Sequence, residues 1–228
     1  MQKIAFFDID GTLFRSSLVI ELVTQLTKEG VFPQNTPDMF RDEYEAWLDR
    51  EGSYEDYIHA VVRTFMTNIK GVFYGDLADI GREVIRMQGR HIYRYTRDLI
   101  RDLRQKNYFL VAISQSPKTI VDDFCTSYGF HKSYGRLYEL GPQDLFTGEM
   151  IDVHLIQNKA NIVKRVLENN ENVTLDGSIG VGDTDGDITL LEAVEIPICF
   201  NPNKKLFDYA SQMGWKIVLE RKDVIYEL

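Results

Sequence analysis

Lys3-Ile4-Ala5-Phe6-Phe7-Asp8-Ile9-Asp10-Gly11-Thr12 is a near-continuous apolar run that ends in two carboxylates and a turn. Such a run suits a strand buried on both faces, as in the middle of a parallel sheet. Phe109–Ser114 (F-L-V-A-I-S) and Ser178–Asp183 (S-I-G-V-G-D) have the same character, and Ile196–Phe200 and Lys216–Leu219 are shorter runs of the kind. Helical patterns flank them. Arg94–Lys106 precedes and Thr119–Tyr128 follows the second run; Lys159–Asn169 precedes and Asp187–Val194 follows the third. Strands alternating with helices predict an α/β fold built on a parallel sheet.

One stretch breaks the alternation. From Ser16 to Gly89 the apolar residues recur at helical spacing, as at Leu18, Leu22 and Leu26, at Phe40, Tyr44, Trp47 and Leu48, and at Ile58, Val61, Val62 and Phe65. Pro33 and Pro37 punctuate the first two segments. The expected organisation is a core of residues 1–15 and 90–228, with a helical insertion at 16–89 after the first strand. A second irregular region, Gly135–Ile156, is expected to hold a hairpin around Thr147-Gly148-Glu149.

Composition narrows the function classes. The chain has 228 residues, 44% hydrophobic and 27% charged, the balance of an ordinary soluble globular protein. A formal net charge of −9 disfavours a polyphosphate partner, so nucleic acid is not expected. It leaves room for a small phosphorylated ligand, since a bound cation and one lysine can reverse the sign locally. Cys125 and Cys199 stand alone in apolar settings, which suits reduced core thiols. His59, His91, His131 and His154 lack zinc-type spacing. No apolar run is long enough to span a membrane. Met1-Gln2-Lys3 leads straight into the first run, so no signal peptide is expected and a cytoplasmic location is the default.

In an open parallel sheet, ligands bind outside the carboxyl ends of the strands. Asp8, Ser114 and Asp183 end three of the runs and therefore fall on one edge. Asp8 and Asp10, two apart, point the same way along a strand, and Gly11 permits a sharp exit. One carboxylate can attack while the other exchanges protons; an Asx turn with solvated acids fits that pattern alone equally well. Gly182-Asp183-Thr184-Asp185-Gly186-Asp187 carries three acids between an apolar strand and a helix, which suits oxygen ligands for a hard cation better than a solvated turn. A helix–loop–helix calcium site is excluded, because its required Gly and Glu positions hold Ile188 and Val194. Ser114 can bind a phosphate oxygen or cap the following helix. Lys159, opening a helix, can neutralise phosphate charge or sit in solvent.

Taken together, these segments resemble the haloacid dehalogenase superfamily of phosphohydrolases. Asp8-Ile9-Asp10-Gly11-Thr12 matches its first motif, Ser114 its second, Lys159 its third, and Gly182-Asp183 with Asp187 its fourth. Within the superfamily the phosphoserine-phosphatase-like branch is the most similar, through the Thr147-Gly148-Glu149 region and the tail from Asn201-Pro202-Asn203 to Gly214-Trp215. The resemblance implies a Rossmann-like parallel-sheet core with a helical cap domain inserted after the first strand. It implies a magnesium-dependent phosphatase acting on a small phosphorylated metabolite through an aspartyl-phosphate. Asp8 would be the nucleophile and Asp10 the acid–base. Asp8, the Asp10 carbonyl and Asp183 would hold Mg2+, with Asp187 behind them. Gly11, Ser114, Gln115 and Lys159 would bind phosphate. Phosphoryl transfer to an acceptor, as in phosphomutases, and a non-catalytic phosphate-binding module are the alternatives. Two positions depart from the branch: Gly186 replaces an Asn of the fourth motif, and Ser17 stands where a substrate-binding Glu is placed. Arg15, Arg50 and Arg63 could meet an anionic substrate from the cap, although a solvated face suits each of them better.

Overall fold

The computed structural model describes residues 1–228. β1 (Gln2–Asp8) is followed by helices with no strand between them: α1 (Leu18–Lys28), α2 (Arg41–Leu48), α3 (Tyr54–Ile69) and α4 (Tyr74–Gln88). α5 (Arg94–Gln105) then leads into β2 (Phe109–Pro117), α6 (Lys118–Tyr128), β3 (Lys132–Leu140) and β4 (Phe146–Ile151). The remainder runs α7 (Val153–Gln157), α8 (Lys159–Glu168), β5 (Val173–Gly182), α9 (Ile188–Leu191), β6 (Ile196–Phe200), α10 (Lys204–Met213), β7 (Lys216–Arg221) and β8 (Val224–Glu227). No helix is long and apolar enough to cross a membrane.

The strands form one eight-stranded sheet in the order β4-β3-β2-β1-β5-β6-β7-β8. The six inner strands pair in parallel, and β4 and β8 add antiparallel edges. The chain leaves β1 for β2 on one side and later returns to β5 on the other. The carboxyl end of β1 is thus the switch point, where an open α/β sheet has its crevice.

Period-two alternation along β1 builds a layer on each face of the sheet. Ala5 and Phe7 enter a core with Leu18, Leu22 and Leu26 of α1, Phe65 of α3, Ile100 of α5 and Phe124 of α6. Ile4 and Phe6 enter a second core with Ile162, Val163 and Val166 of α8 and Leu190 of α9. Each of these large side chains, when fully buried, contributes roughly 1.5–3 kcal/mol. The central strand is therefore rigidly held, and so is the aspartate at its end. Cys125 and Cys199 are buried and unpaired.

Three local expectations need correcting. The hairpin exists, but its turn spans Gly141–Leu145, where Gln143 and Asp144 adopt left-handed φ values of 60° and 57°. Thr147-Gly148-Glu149 lies inside β4. Its place is set by distant chain: Gly71 N–H donates to Phe146 O at 2.8 Å, and Phe146 N–H to Val72 O at 2.9 Å. Second, Lys132–Leu140 is a strand paired in parallel with β2. Its mixed polar sequence reflects a position near the sheet edge, which demands little apolar surface. Third, the helix expected over Asp187–Val194 is a tight 3-10 turn at Asp185–Asp187 followed by the short α9.

Candidate active site

The ends of β1, β2 and β5 and the start of α8 meet at the switch point around a cavity of about 310 Å³. Asp8 and Lys159 are almost completely buried in its floor, at 5% and 3% exposure, and Asp187 is fully enclosed behind them. Lys159 reaches inward because α8 starts there: Asn158 caps the helix, its Oδ1 accepting from Ala160 N–H at 3.1 Å. Lys159 Nζ donates to Asp8 Oδ1 at 2.5 Å and also to Asp187 Oδ1.

Asp187 is fully engaged. Its second oxygen accepts from the backbone N–H groups of Asp183 and Thr184, both at 3.0 Å. With Thr184 as N-cap this forms a capping box, which folds the Asp183–Asp187 loop back on itself. A side chain on Gly182 would overlap Asp187, so the loop needs glycine there. Asp183 Oδ1 accepts from Thr12 Oγ1 at 3.0 Å.

Asp10 sits in a cluster of donors. Leu18 N–H donates to its Oδ1 at 2.6 Å, Ser114 Oγ to its Oδ2, and Ser116 Oγ to both oxygens at 3.1 Å. Ser116 Oγ in turn accepts from Val19 N–H at 3.0 Å. The acid is therefore held by β2 and by the first turn of α1, which ties the helical segment to the carboxyl edge of the sheet.

The sequence candidates do not all occupy the same setting. Asp8, Asp10, Gln115, Lys159 and Asp183 line the cavity. Ser114 is fully buried and turned onto Asp10. Gln115 is at the rim, its side-chain oxygen accepting from Arg136. Gly11 N–H donates to Phe14 O at 2.9 Å and Ser16 O at 3.2 Å, so it is spent locally. What Gly11 contributes is space: at φ +83° its Cα faces Asp183, and a Cβ would overlap that carboxylate. Arg15, Arg50 and Arg63 line no part of the cavity, whose wall contains no arginine. Arg63 instead pairs with Glu43 at 3.1 Å. Ser17 does line it.

Several lining residues went unread in the sequence: Ser116, Tyr54, Glu55, His59, Asn203 and Lys205. Ser116 carried a signal, since it lies two residues beyond Ser114 on the same strand face. Asn203 stands in the tail that carries the resemblance and His59 bears only on zinc spacing, but neither points to this cavity; Tyr54, Glu55 and Lys205 carried no signal at all.

The electrostatics follow from burial. Burial pushes the Asp8 carboxyl up to about 8; the charges of Asp187 and Asp10 add to that, against the lowering effect of Lys159. Burial, Asp8 and Asp187 likewise hold Asp183 well above the usual carboxylate range. Burial alone would lower Lys159, but Asp187 and Asp8 outweigh it and keep the ammonium protonated. One cation thus faces three carboxylates, and the cluster is short of positive charge. The buried Asp8 Oδ2 has no hydrogen-bond partner. Ligand atoms of Asp8, Asp183 and Asp187 lie within 4.8 Å of one another. Since both Asp187 oxygens are spent, Asp8 and Asp183 are the two free to bind. An all-oxygen donor set with an orphaned oxygen fits a hard divalent cation.

Residues 5–192 match the sequence model of the haloacid dehalogenase-like hydrolases. The chain is 24% identical over 228 residues to a histidinol-phosphatase of Neisseria meningitidis serogroup C (strain 8013), covering 96% of this chain and 99% of that one. Among solved structures, a protein of unknown function from Bordetella pertussis Tohama I superposes with a TM-score of 0.73 at 19% identity, covering 95% of this chain and 98% of that chain. A phosphoserine phosphatase, solved as a phospho-aspartyl intermediate analogue, superposes with a TM-score of 0.63 at 16% identity, covering 97% and 95%. At these identities the structural likeness concerns the fold.

Proposed function

We propose that this chain, which belongs to the haloacid dehalogenase-like hydrolase family, is a phosphatase that hydrolyses a small phosphomonoester, with Asp8 as nucleophile and Mg2+ as cofactor. The observation that carries this reading is Asp8 itself: a buried carboxylate with one oxygen on Lys159 and the other unpartnered, in the floor of a cavity.

In the first step an Asp8 oxygen attacks phosphorus, the bond to the leaving oxygen breaks, and Asp10 delivers a proton to that oxygen. In the second, Asp10 takes a proton from water, the water oxygen attacks phosphorus, and the Asp8–phosphorus bond breaks to release phosphate. Ser114, Ser116 and Leu18 N–H keep Asp10 in place through both steps. Lys159 offsets the phosphoryl charge, helped by Gln115 in the cavity wall, while the Ser114 hydroxyl stays on Asp10. Asp8, Asp183 and the Asp10 carbonyl would hold Mg2+, which supplies the charge that lets carboxylate and phosphate approach. Asp187 positions Lys159 and the Asp183 loop.

Residues 16–89 are read as a cap domain over residues 1–15 and 90–228, and they supply Ser17, Val19, Tyr54, Glu55 and His59 to the cavity wall. The test is a panel of phosphomonoesters that includes histidinol phosphate and phosphoserine, assayed with and without Mg2+. Wild type should release phosphate only with the metal, and Asp8→Asn should lose at least about a thousandfold in kcat. Full activity in that nearly isosteric variant would refute the nucleophile assignment.

A further inference from the structure

A single ion pair joins residues 16–89 to the rest of the chain. Arg41, Arg63, Arg82 and Arg86 all pair within the helical segment. Glu55, at the start of α3, instead pairs with Lys205 on α10 at 3.3 Å. Lys205 Nζ is also 3.3 Å from Asp185 Oδ2, in the loop that carries Asp183 and Asp187. Asn203 secures the same loop: its Nδ2 donates to Asp185 Oδ1 at 2.7 Å and its N–H to Asp183 O at 2.8 Å. This bridge lies in the cavity wall.

The helical segment is anchored quite differently elsewhere. Backbone hydrogen bonds tie Gly71 and Val72 to Phe146, Leu18 N–H is bonded to Asp10, and Tyr128 Oη donates to Gly89 O at 2.5 Å. α1 and α4 share an apolar core with α6. Those contacts are hydrogen bonds to backbone groups, at least partly shielded at Asp10 and Gly89, backed by an apolar core. The Glu55–Lys205 pair is exposed, at 46% and 67% of the two side chains, and such pairs are weak and easily broken. Asp8 lies in the floor of the cavity, and the weakly tied start of α3 is the part of its wall that moves at least cost.

That first turn carries Tyr54 into the cavity. Its ring is braced by Trp47 and Tyr57, with centroids at 5.4 and 6.0 Å. Burial, then the nearby charges of Asp10 and Asp183, hold the phenol in its protonated form as a donor. We propose that Tyr54 contacts the substrate, and that the Glu55–Lys205–Asp185 bridge is the latch holding it over the catalytic carboxylates. Tyr54 is a substrate-binding residue, and Glu55 and Lys205 are positioning residues. The Tyr54 assignment rests on the phosphatase reading above; the latch can be read without substrate.

Four variants test it: Tyr54→Phe, Glu55→Gln, Lys205→Met and the Glu55→Gln/Lys205→Met double. In metal-free, substrate-free protein, amide exchange in the first turn of α3 should quicken about two- to fivefold in Glu55→Gln and Lys205→Met. The double variant should be no faster than either single, and Tyr54→Phe should exchange like wild type. In turnover the latch variants should raise KM by a similar factor with kcat held. Tyr54→Phe, which removes one hydrogen bond to a charged group, should lower kcat/KM about tenfold. Unchanged exchange in both latch singles, or fully additive effects in the double, would overturn the latch. Wild-type kcat/KM in Tyr54→Phe would overturn the substrate contact. Retained activity in Asp8→Asn would strike down the phosphatase mechanism while leaving the exchange result to decide the latch.

Discussion

Replacing Gly11 by alanine adds one methyl group at the point where β1 meets the Asp183 loop. Two costs can be worked from the structure. The first is conformational. Gly11 has φ +83°, and a side chain held in the left-handed region costs on the order of 1–3 kcal/mol. The second is steric. The new Cβ would overlap Asp183 Oδ2 outright and lie 3.0 Å from its Cγ, where carbon atoms settle at about 3.5–4.0 Å. The Asp183 carboxylate must therefore retreat by roughly 1 Å or more, or the β1 turn must open by as much. Asp183 is not free to do so cheaply, because Thr12 Oγ1 is bonded to it at 3.0 Å and Asn203 N–H to its carbonyl at 2.8 Å. In a protein of this size each kcal/mol lost lowers Tm by about 2–4 °C. Misplacing a reacting group by ~1 Å costs up to about a hundredfold in rate. Gly11→Ala should therefore lower Tm by several degrees, raise the Mg2+ concentration needed for half-maximal activity, and lower kcat about ten- to a hundredfold. Thermal unfolding and a Mg2+ titration of phosphate release measure all three. Wild-type Tm and wild-type Mg2+ dependence together would refute the reasoning, because neither strain nor displacement of Asp183 would then exist.

Ser116→Ala removes a hydroxyl that donates to both Asp10 oxygens and accepts from Val19 N–H, leaving that buried N–H unsatisfied. It should destabilise the fold by about 1–3 kcal/mol and lower kcat more than it raises KM; an unchanged pH–rate profile with unchanged kcat would count against Ser116 as a support for Asp10. The Mg2+-induced gain in Tm should grow with pH. Asp8 is raised to about 8 and Asp183 is raised with it, while an unfolded carboxyl titrates near ~4. Between about pH 4 and pH 8 the metal-free folded state thus holds protons the unfolded chain has released, so its stability falls as pH rises. Mg2+ must displace those protons, and its apparent affinity should rise up to about tenfold per pH unit for each proton displaced. Equal Tm gains at pH 6 and pH 8 would show that Asp8 and Asp183 do not titrate in that window.

Much of this was legible in the chain because it is written in short range. The alternation of apolar runs and helices needs only neighbouring residues, and it located β1, β2 and β5 together with the acids and serine at their ends. Asp8 and Asp10 share a strand end, and Asp183 and Asp187 share one loop. Their chemical types and spacing are properties of a few consecutive positions, and a family resemblance can be carried on such segments alone.

What the fold alone decided lies between residues far apart in sequence. Thr12 meets Asp183, Ser116 meets Asp10, and Glu55 meets Lys205 across separations of 171, 106 and 150 residues. No local pattern marks such partners, because any polar residue on a loop or a helix surface looks alike until the sheet brings two of them together. The same holds for Gly11. Its sequence context reads as a turn, yet the reason no side chain fits there is a carboxylate delivered by β5. The hairpin was misplaced for a related cause, since Thr147-Gly148 has the composition of a turn but is held in β4 by backbone bonds between Phe146 and the distant Gly71-Val72. Sequence by itself determined which residues could do chemistry at the sheet edge. The tertiary structure decided how Asp10 is held, why Asp8 is short of a partner, and which residues of the helical segment face it, because burial and long-range packing set those relations.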